Sequence, residues 1–509
     1  MRTAHILFLI GLFCSSVGFS QSPPRAPVPS EDAIAAATKI IADVYKQDYE
    51  QAKTAAQKQK LAQKLLDDAQ ASKDDPSARF ALFQIARKIA TGIGDLETAI
   101  LAIERCAKVF DVDTISQRQQ LFEDIAGQVK TADDNYGLAR YIGRETVALL
   151  QDNQLTAAQS LTELGLSTAK KAKDPDLVKQ WSRRQTQLKE RQQAWTKSQA
   201  ALEVLKTNPG DASANDEAGK YACCFQQDWT RGLSMLALGN DKDLAPLAEK
   251  ELRGVSAPGD KLALADSWYD TGMTRSEVEK LALHQHAAKL YRDILPTLQA
   301  LTLRRVEKRL EEIAAANSPF EKDEWVEILD FVQLPKHLVE NQWERQGLSI
   351  VSLQNEHCKT FRIPVEINGN YEMRIKTTKA KGLETLAFSL SHPVNKCQFV
   401  LNYGNVSGVN LVNQAGMDSD RNTSRTETKP HADGRTFQFA IQVETRGDQA
   451  VISSTFENVR FTRWAGPIAA LSPNHPEWNP SIHVRQCGHG AAIHSVQLKL
   501  KSGAAWLVD

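Results

Sequence analysis

The sequence predicts a multidomain protein with an all-α N-terminal part, built as an array of helical hairpins, and a C-terminal all-β antiparallel sandwich. Apolar residues recur at helical spacing over roughly the first three hundred positions. After Asn317-Ser318-Pro319 they alternate with polar residues between Gly and Asn turns, as they do in an antiparallel sheet. The length of 509 residues also exceeds what one hydrophobic core supports.

The N-terminus has the anatomy of a secretory signal peptide. Arg2 precedes a short apolar run, Ile6 to Phe13, and small residues surround a cleavage position after Ser20. The run is too short to span a bilayer with margin, and no later segment approaches ~18 uninterrupted apolar residues. We therefore expect a secreted or periplasmic protein whose mature chain has no transmembrane segment. Cys14 would also allow a lipidated cysteine, but Phe13 before it does not suit such a site.

Charge and motifs exclude several classes of function. Lysine plus arginine and aspartate plus glutamate both total 62, so the formal net charge is zero and no nucleic-acid partner is expected. The chain contains no nucleotide-binding fingerprint, phosphate loop or zinc-protease motif. We therefore expect no cofactor.

The helical part contains recognisable hairpins. Asp75 and Pro76 start a helix, and Gly92-Ile93-Gly94-Asp95 separates it from the next one. A similar pair follows Asn208-Pro209-Gly210-Asp211, and both resemble tetratricopeptide-type hairpins. Such an array either offers a concave surface to a protein partner or only buries its own helices and spaces the sheet domain. The expected segments are a signal peptide (1–20), a linker (21–30), a helical domain (31–206), tetratricopeptide-like hairpins (207–317) and the sandwich (318–509).

The sheet part shows strands with one apolar and one polar face. In one strand the apolar side holds Tyr371, Met373, Ile375 and Thr377, and two further strands show the same alternation. Those strands carry Phe437, Phe439, Ile441 and Val443, and Val496, Leu498 and Leu500. Turns are expected at Asn368-Gly369-Asn370, Asp433-Gly434 and Arg446-Gly447-Asp448. This pattern is typical of a sandwich or jelly roll.

Six cysteines remain after processing. One disulfide within the sheet domain, among Cys358, Cys397 and Cys487, is one interpretation; the other is that most cysteines are small buried residues. Cys223 and Cys224 point to different sides of a helix and lack a nearby partner, which favours burial over redox or metal chemistry.

Three segments carry a resemblance to a known family: Trp343 to Ser352, Tyr371 to Ile375 and Ala491 to Leu498. They resemble the opening, an early and the closing strands of concanavalin A-like lectin/glucanase domains, in the version common in secreted planctomycete-type bacterial proteins, and Trp464-Ala465-Gly466-Pro467 strengthens the likeness. The resemblance implies a jelly roll of two sheets whose concave face often binds glycans, and it implies no established activity.

Two sets of residues in the sheet part are candidate sites. Laminarinase-like members of that fold carry E-x-D-x-x-E on one strand, whereas the string from Glu321 to Glu327 has one residue too many and lies at the domain entrance. The more suggestive cluster is His483, Arg485, Cys487 and His489, which alternate and so share a strand face. The candidate ligand-binding residues are therefore Trp464, Trp478, His483, Arg485, His489 and His494.

Each of these residues has an alternative interpretation. His and Cys also suit a transition metal, whereas Gly488 and Gly490 favour a loop with dispersed side chains. His494 is then a hydrogen-bonded core histidine and Trp464 a core residue. The leading hypothesis is a secreted, non-catalytic protein that binds a polysaccharide or surface glycan. The alternatives are a structural or protein-interaction role in the cell envelope and a glycan-active hydrolase.

Overall fold

Helices give way to strands between Ala316 and Trp325. The computed structural model of the chain describes residues 25–316, 318–340, 343–352, 357–379, 385–391, 394, 397–403, 405–411, 421–427, 434–471, 481–488 and 490–508. The expected signal peptide, Trp478 and His489 lie outside these residues. The chain divides into two compact units, 1–121 and 122–509.

The described residues form fifteen α-helices. They are α1 (Glu31–Val44), α2 (Lys46–Gln51), α3 (Ala55–Ala71), α4 (Pro76–Gly92), α5 (Leu96–Ala107), α6 (Thr114–Ala126), α7 (Ala132–Gln151), α8 (Leu155–Ala172), α9 (Pro175–Thr207), α10 (Ala212–Phe225), α11 (Trp229–Ala237), α12 (Leu244–Leu252), α13 (Pro258–Gly272), α14 (Glu277–Ile294) and α15 (Ala300–Ala316). Their starts follow capping chemistry. The Asp75 side chain accepts a hydrogen bond from the Ala78 backbone N–H, as predicted.

Helix packing in the first unit encloses a core of small and aromatic residues. Leu65, Phe83, Ala102 and Phe110 are almost completely buried there. In the second unit α10 to α15 surround another core, which includes Trp268 and Tyr291. Cys223 is buried in it, as predicted, whereas Cys224 is only half-buried, and both are free thiols. None of the helices in the described part of the chain combines the length and hydropathy needed to cross a membrane.

The described strands are numbered in chain order. They are β1 (Trp325–Glu327), β2 (Trp343–Gln346), β3 (Ser349–Ser352), β4 (Cys358–Ile363), β5 (Val365–Asn368), β6 (Tyr371–Lys379), β7 (Thr385–Ser389), β8 (Gln398–Tyr403), β9 (Val406–Val409), β10 (Thr426–Glu427), β11 (Thr436–Arg446), β12 (Gln449–Phe456), β13 (Val459–Pro467), β14 (Ile482–Cys487), β15 (Ala491–Leu500) and β16 (Ala504–Leu507).

Two large antiparallel sheets form the sandwich. One has the order β13-β12-β11-β6-β15-β3-β2, with β1 also pairing β15, and the other has the order β10-β9-β8-β7-β14-β4. A two-stranded ribbon joins β16 and β5. The alternating residues predicted for β6, β11 and β15 are at most 5% exposed, and all of them except Thr377 lie in one shared hydrophobic core. The predicted fold class, an all-α part followed by an antiparallel jelly-roll sandwich, is confirmed.

Candidate functional site

Strand β14 carries two of the six candidate ligand-binding residues, His483 and Arg485. Ile482 and Val484 lie in the sandwich core with no exposed surface, so the alternate residues His483 and Arg485 point away from it. The pairing of β14 with β4 places His483 opposite Arg362 and Arg485 opposite Thr360. One outward face therefore joins side chains from two strands that are far apart in the sequence.

A disulfide fixes these strands at one end. Cys358 of β4 and Cys487 of β14 form the bond, with their Cα atoms 4.0 Å apart across the strand pair. One bridge within the sheet domain was among the alternatives, and Cys397 stays a buried free thiol. The covalent link holds the outward face in register where β14 ends.

Hydrogen bonds also hold His483 in place. Its backbone N–H donates to Ser389 Oγ at 2.6 Å, and its Nδ1 lies 3.1 Å from the Ser481 carbonyl oxygen. The His483 ring is 4% exposed, while Arg485 and Arg362 are half-buried. The three side chains thus form a semi-enclosed polar row on the outer face of the six-stranded sheet, which we call the β14 row.

Two other predicted residues lie elsewhere. Trp464 stands opposite Ile452 in the other sheet and is 4% exposed within the core. His494 of β15 is half-buried, with Nδ1 2.9 Å from Ser349 Oγ and Nε2 2.7 Å from Thr378 Oγ1. Burial, and then the charge of Lys376, lower the pKa of His494. The structure thus brings His483 and Arg485 together and separates both from Trp464 and His494.

The acidic string at the domain entrance contacts the helices. Glu324 accepts from Lys179 Nζ at 3.1 Å and from Arg183 Nη2 at 2.9 Å, both on α9. Glu321 lies 3.4 Å from Arg183 Nη1. The next acidic residues, Glu327 and Asp330, meet Arg140 of α7. These carboxylates, three residues apart along the chain, join the sandwich to two helices.

Glu327 is enclosed by donors. It accepts from Ser495 Oγ at 2.5 Å and from the Val496 N–H at 2.7 Å, and Arg140 Nη1 lies 3.5 Å away. Burial raises the pKa of the Glu327 carboxyl, although the charge of Arg140 opposes this. Burial lowers the pKa of Arg140, but Asp330 and Glu327 outweigh it and hold that pKa above its usual value. Arg140, Glu327 and Asp330 thus form an ion cluster between helix α7 and the first segment of the sandwich.

A partly enclosed cleft of about 680 Å³ adjoins this cluster. Helices α7 and α9 form one wall, and the segment from Val326 to His337 forms much of the other. This site was not predicted from the sequence. A usable signal existed on α7, because Tyr136, Arg140 and Arg144 recur every four residues and so share one helix face. Each of the three contacts the sandwich, at Gln497, Asp330 and the Gly347 carbonyl respectively.

The side chains of the described ranges do not support the alternative of a metal site. No group of three or more His, Cys, Asp or Glu side chains within them is arranged to hold a metal ion. Cys487 is also disulfide-bonded, which removes its thiolate as a ligand.

No protein-family model matches the chain, and no curated protein matches its sequence. Among solved structures, it is similar to Caenorhabditis elegans galectin LEC-6, with 12% identity, a TM-score of 0.19, and coverage of 29% of this chain and 95% of that one. It is also similar to endo-1,3-beta-glucanase from Streptomyces sioyaensis, with 8% identity, a TM-score of 0.22, and coverage of 33% of this chain and 79% of that one. A third similar structure is peanut lectin with a 9mer peptide, with 9% identity, a TM-score of 0.24, and coverage of 36% of this chain and 98% of that one. At these scores the matches carry no argument about ligand or activity. The sandwich is assigned from its own strand order.

Proposed function

We propose that the chain is a secreted, non-catalytic, lectin-like protein whose sandwich binds a polysaccharide or surface glycan and is carried on a helical scaffold. The observation that supports this most is the β14 row. Because Nδ1 of His483 faces the Ser481 carbonyl oxygen and so carries the proton, Nε2 of the neutral ring is an acceptor, whereas the guanidinium groups donate. A row with both an acceptor and donors suits sugar hydroxyls, which donate and accept. The expected neighbours Trp478 and His489 flank this strand in sequence and belong to the same proposal.

The carboxylates of the six-stranded sheet favour binding over hydrolysis. Within the described residues of its strands, the carboxylate is Glu427 on the edge strand β10. Retaining glycosidases need two carboxyl groups about 5 Å apart, and inverting ones need a pair about 6.5–9.5 Å apart. A sheet face without such a pair supports recognition of a glycan rather than its cleavage.

A broad glycan array probed with the full chain tests the proposal. We expect binding to one family of glycans, with the glycans left intact after prolonged incubation. An array that stays silent would remove the lectin-like function. Release of reducing sugar would instead point to a hydrolase, and Glu321→Gln and Glu327→Gln variants would then show whether the acidic string takes part.

A protein-interaction role is the second candidate. Its specific support is a set of exposed apolar side chains at the C-terminal ends of α11, α12 and α13, Leu238, Leu252 and Met273, each more than half exposed. Isolated exposed apolar residues are common on monomers, so the set gains meaning only if a partner covers it. This role is tested by pull-down of partners from an extracytoplasmic fraction, with recovery compared between the wild-type full chain and a Leu238→Gln/Met273→Gln variant. Equal recovery of every partner would contradict this role.

A further inference from the structure

We propose that the cleft beside Arg140 is a second binding site, distinct from the β14 row, and that it takes a small ligand bearing an oxyanion group: a carboxylate, sulfate or phosphate. The cleft of about 680 Å³ lies in the size range of small-molecule sites, about 300–1,000 Å³. Its lining combines cationic and apolar side chains, and the charges do not cancel.

The charges that line the cleft are predominantly positive. The cationic side chains are Arg140, Arg144, Arg184, Arg345 and Lys336, and the carboxylates are Glu327 and Asp330. Both carboxylates are engaged by Arg140, Asp330 through a bidentate pair at 2.8 and 3.0 Å and Glu327 at 3.5 Å. The remaining guanidinium groups therefore face the cleft without a carboxylate of their own among the residues that the structure describes.

Arg144 and Arg345 use backbone oxygens instead. Arg144 Nη1 donates to the Gly347 carbonyl oxygen at 3.1 Å, and Arg345 Nη2 donates to the carbonyl oxygens of Leu329 and Val332 at 3.0 and 2.8 Å. These bonds orient the two groups, and the carboxylate whose charge reaches Arg345 is Asp330, which is already paired with Arg140. Burial, and then the neighbouring Arg144, lower the pKa of Arg345 to about 10. Such repulsion between fixed cations is relieved when an anion binds between them.

Arg184 is held over the cleft by the helices themselves. Its guanidinium carbon lies 5.0 Å from the centre of the Trp181 ring, one turn earlier on α9. A Cβ on Gly143 of α7 would come within 2.6 Å of Arg184 Nη1, so glycine in mid-helix makes the space that the guanidinium occupies. Glycine there costs about 0.5–1 kcal/mol relative to alanine. No hydrogen bond or ion pair to the Arg184 guanidinium occurs within the described ranges, which leaves its donors for a ligand.

The other walls suit the body of an organic ligand. Trp181, Phe331 and Leu334 contribute apolar surface beside the arginines. A pocket with apolar walls and a few convergent polar groups is the usual form of a small-molecule site. Guanidinium groups pair with planar or tetrahedral oxyanions through two parallel hydrogen bonds, which favours this ligand class over a neutral sugar.

Calorimetric titration of the full chain tests the site. The probes are inorganic sulfate, inorganic phosphate and glucuronate at constant ionic strength, with glucose as the neutral counterpart of glucuronate. We expect at least one anion to bind and glucose not to bind in the cleft. Arg184→Gln should weaken the affinity for the anion by about tenfold or more, because a charged hydrogen bond is lost. Binding of glucuronate alone indicates an organic acid as the ligand, and binding of the inorganic ions alone indicates a free oxyanion.

Two further variants separate a local effect from a general one. Gly143→Ala keeps every charge but displaces the Arg184 guanidinium, so it should also weaken the anion. Arg304→Gln removes an exposed arginine of α15, whose side chain is 82% accessible, and should leave affinity unchanged. Absence of binding by all three anions, or an equal loss in Arg304→Gln, would overturn the proposal. Neither result bears on the β14 row, which neutral glycans test.

Discussion

The Arg140 guanidinium donates two parallel hydrogen bonds to the Asp330 carboxylate, from Nη2 to Oδ1 at 2.8 Å and from Nε to Oδ2 at 3.0 Å. Arg140 belongs to α7, and Asp330 lies in a 3₁₀ turn, Ile328–Phe331, that follows the first strand of the sandwich. A third contact, Arg140 Nη1 to the His494 carbonyl oxygen at 3.3 Å, reaches β15. One buried side chain thus ties a helix to two elements of the sheet domain.

Replacing Arg140 with methionine should destabilise the second unit by about 3–5 kcal/mol, because it leaves Glu327 and Asp330 without their cation. Denaturant unfolding followed by tryptophan fluorescence measures the loss. Arg304→Met, which removes an exposed pair with Glu307, is the matched control and should change stability little. Equal losses in the two variants would show that Arg140 is not a structural tie. Adding Glu327→Gln and Asp330→Asn to Arg140→Met should recover part of the loss.

Gly165→Ala should destabilise the packing of α8 against α9. A Cβ at this position would lie 2.2 Å from Trp181 Cη2, and the Trp181 ring is 1% exposed and has little room to move. Overpacking of this kind costs about 1–3 kcal/mol, more than alanine's helical preference returns. The melting temperature measures the effect. Gly259→Ala, where no atom lies within 4 Å of the added carbon, should match or exceed wild type. A stable Gly165→Ala protein would contradict the packing described.

Removal of the Cys358–Cys487 bond should weaken the sandwich. The two cysteines are 129 residues apart in sequence, so the bond restricts a long loop in the unfolded chain. A Cys358→Ser/Cys487→Ser variant should lose about 2–5 kcal/mol relative to the oxidised wild type. Dithiothreitol should lower the free energy of unfolding of the wild type toward that of the variant and leave the variant's value unchanged. If reductant acts equally on both proteins, the bond does not stabilise the fold.

His494 should contribute to a loss of folding stability as the pH falls. Its pKa is lowered in the fold, first by burial and then by Lys376, whereas the unfolded chain takes up a proton near pH 6.5. The unfolded state therefore binds more protons as pH falls through that value, and stability is lost toward the lower folded pKa. The difference in free energy of unfolding between wild type and His494→Gln should shrink as the pH is lowered from about 7.5 to 5. His357→Gln, at an exposed position, controls for general acid effects. A deficit that does not vary with pH would contradict this account.

Much of the fold follows from local patterns. The alternation around Met373 and Ile441 is visible in the sequence, and so is the cap at Asp75, because each depends on residues a few positions apart. Signals of this kind need no knowledge of the tertiary structure. They therefore predicted an all-α part followed by an antiparallel sandwich.

The sites depend on distant partners. Arg362 joins His483 only because β4 and β14 become neighbours in the sheet. The acidic string could not be interpreted from its own spacing, because Lys179, Arg183 and Arg140 lie 141 to 190 residues away from their partners. The cleft likewise needs helix α9 placed against the 3₁₀ turn. Tertiary packing decides all three.

The most direct test of the account is the affinity of the full chain for a glycan identified on the array, compared between wild type and an Arg485→Ala variant of unchanged melting temperature. We expect the variant to bind the glycan about tenfold more weakly, because a charged hydrogen bond is lost. Arg435→Ala, which alters an exposed arginine of the same sandwich, should bind as wild type does. Equal affinity of Arg485→Ala and wild type would contradict glycan binding at the β14 row.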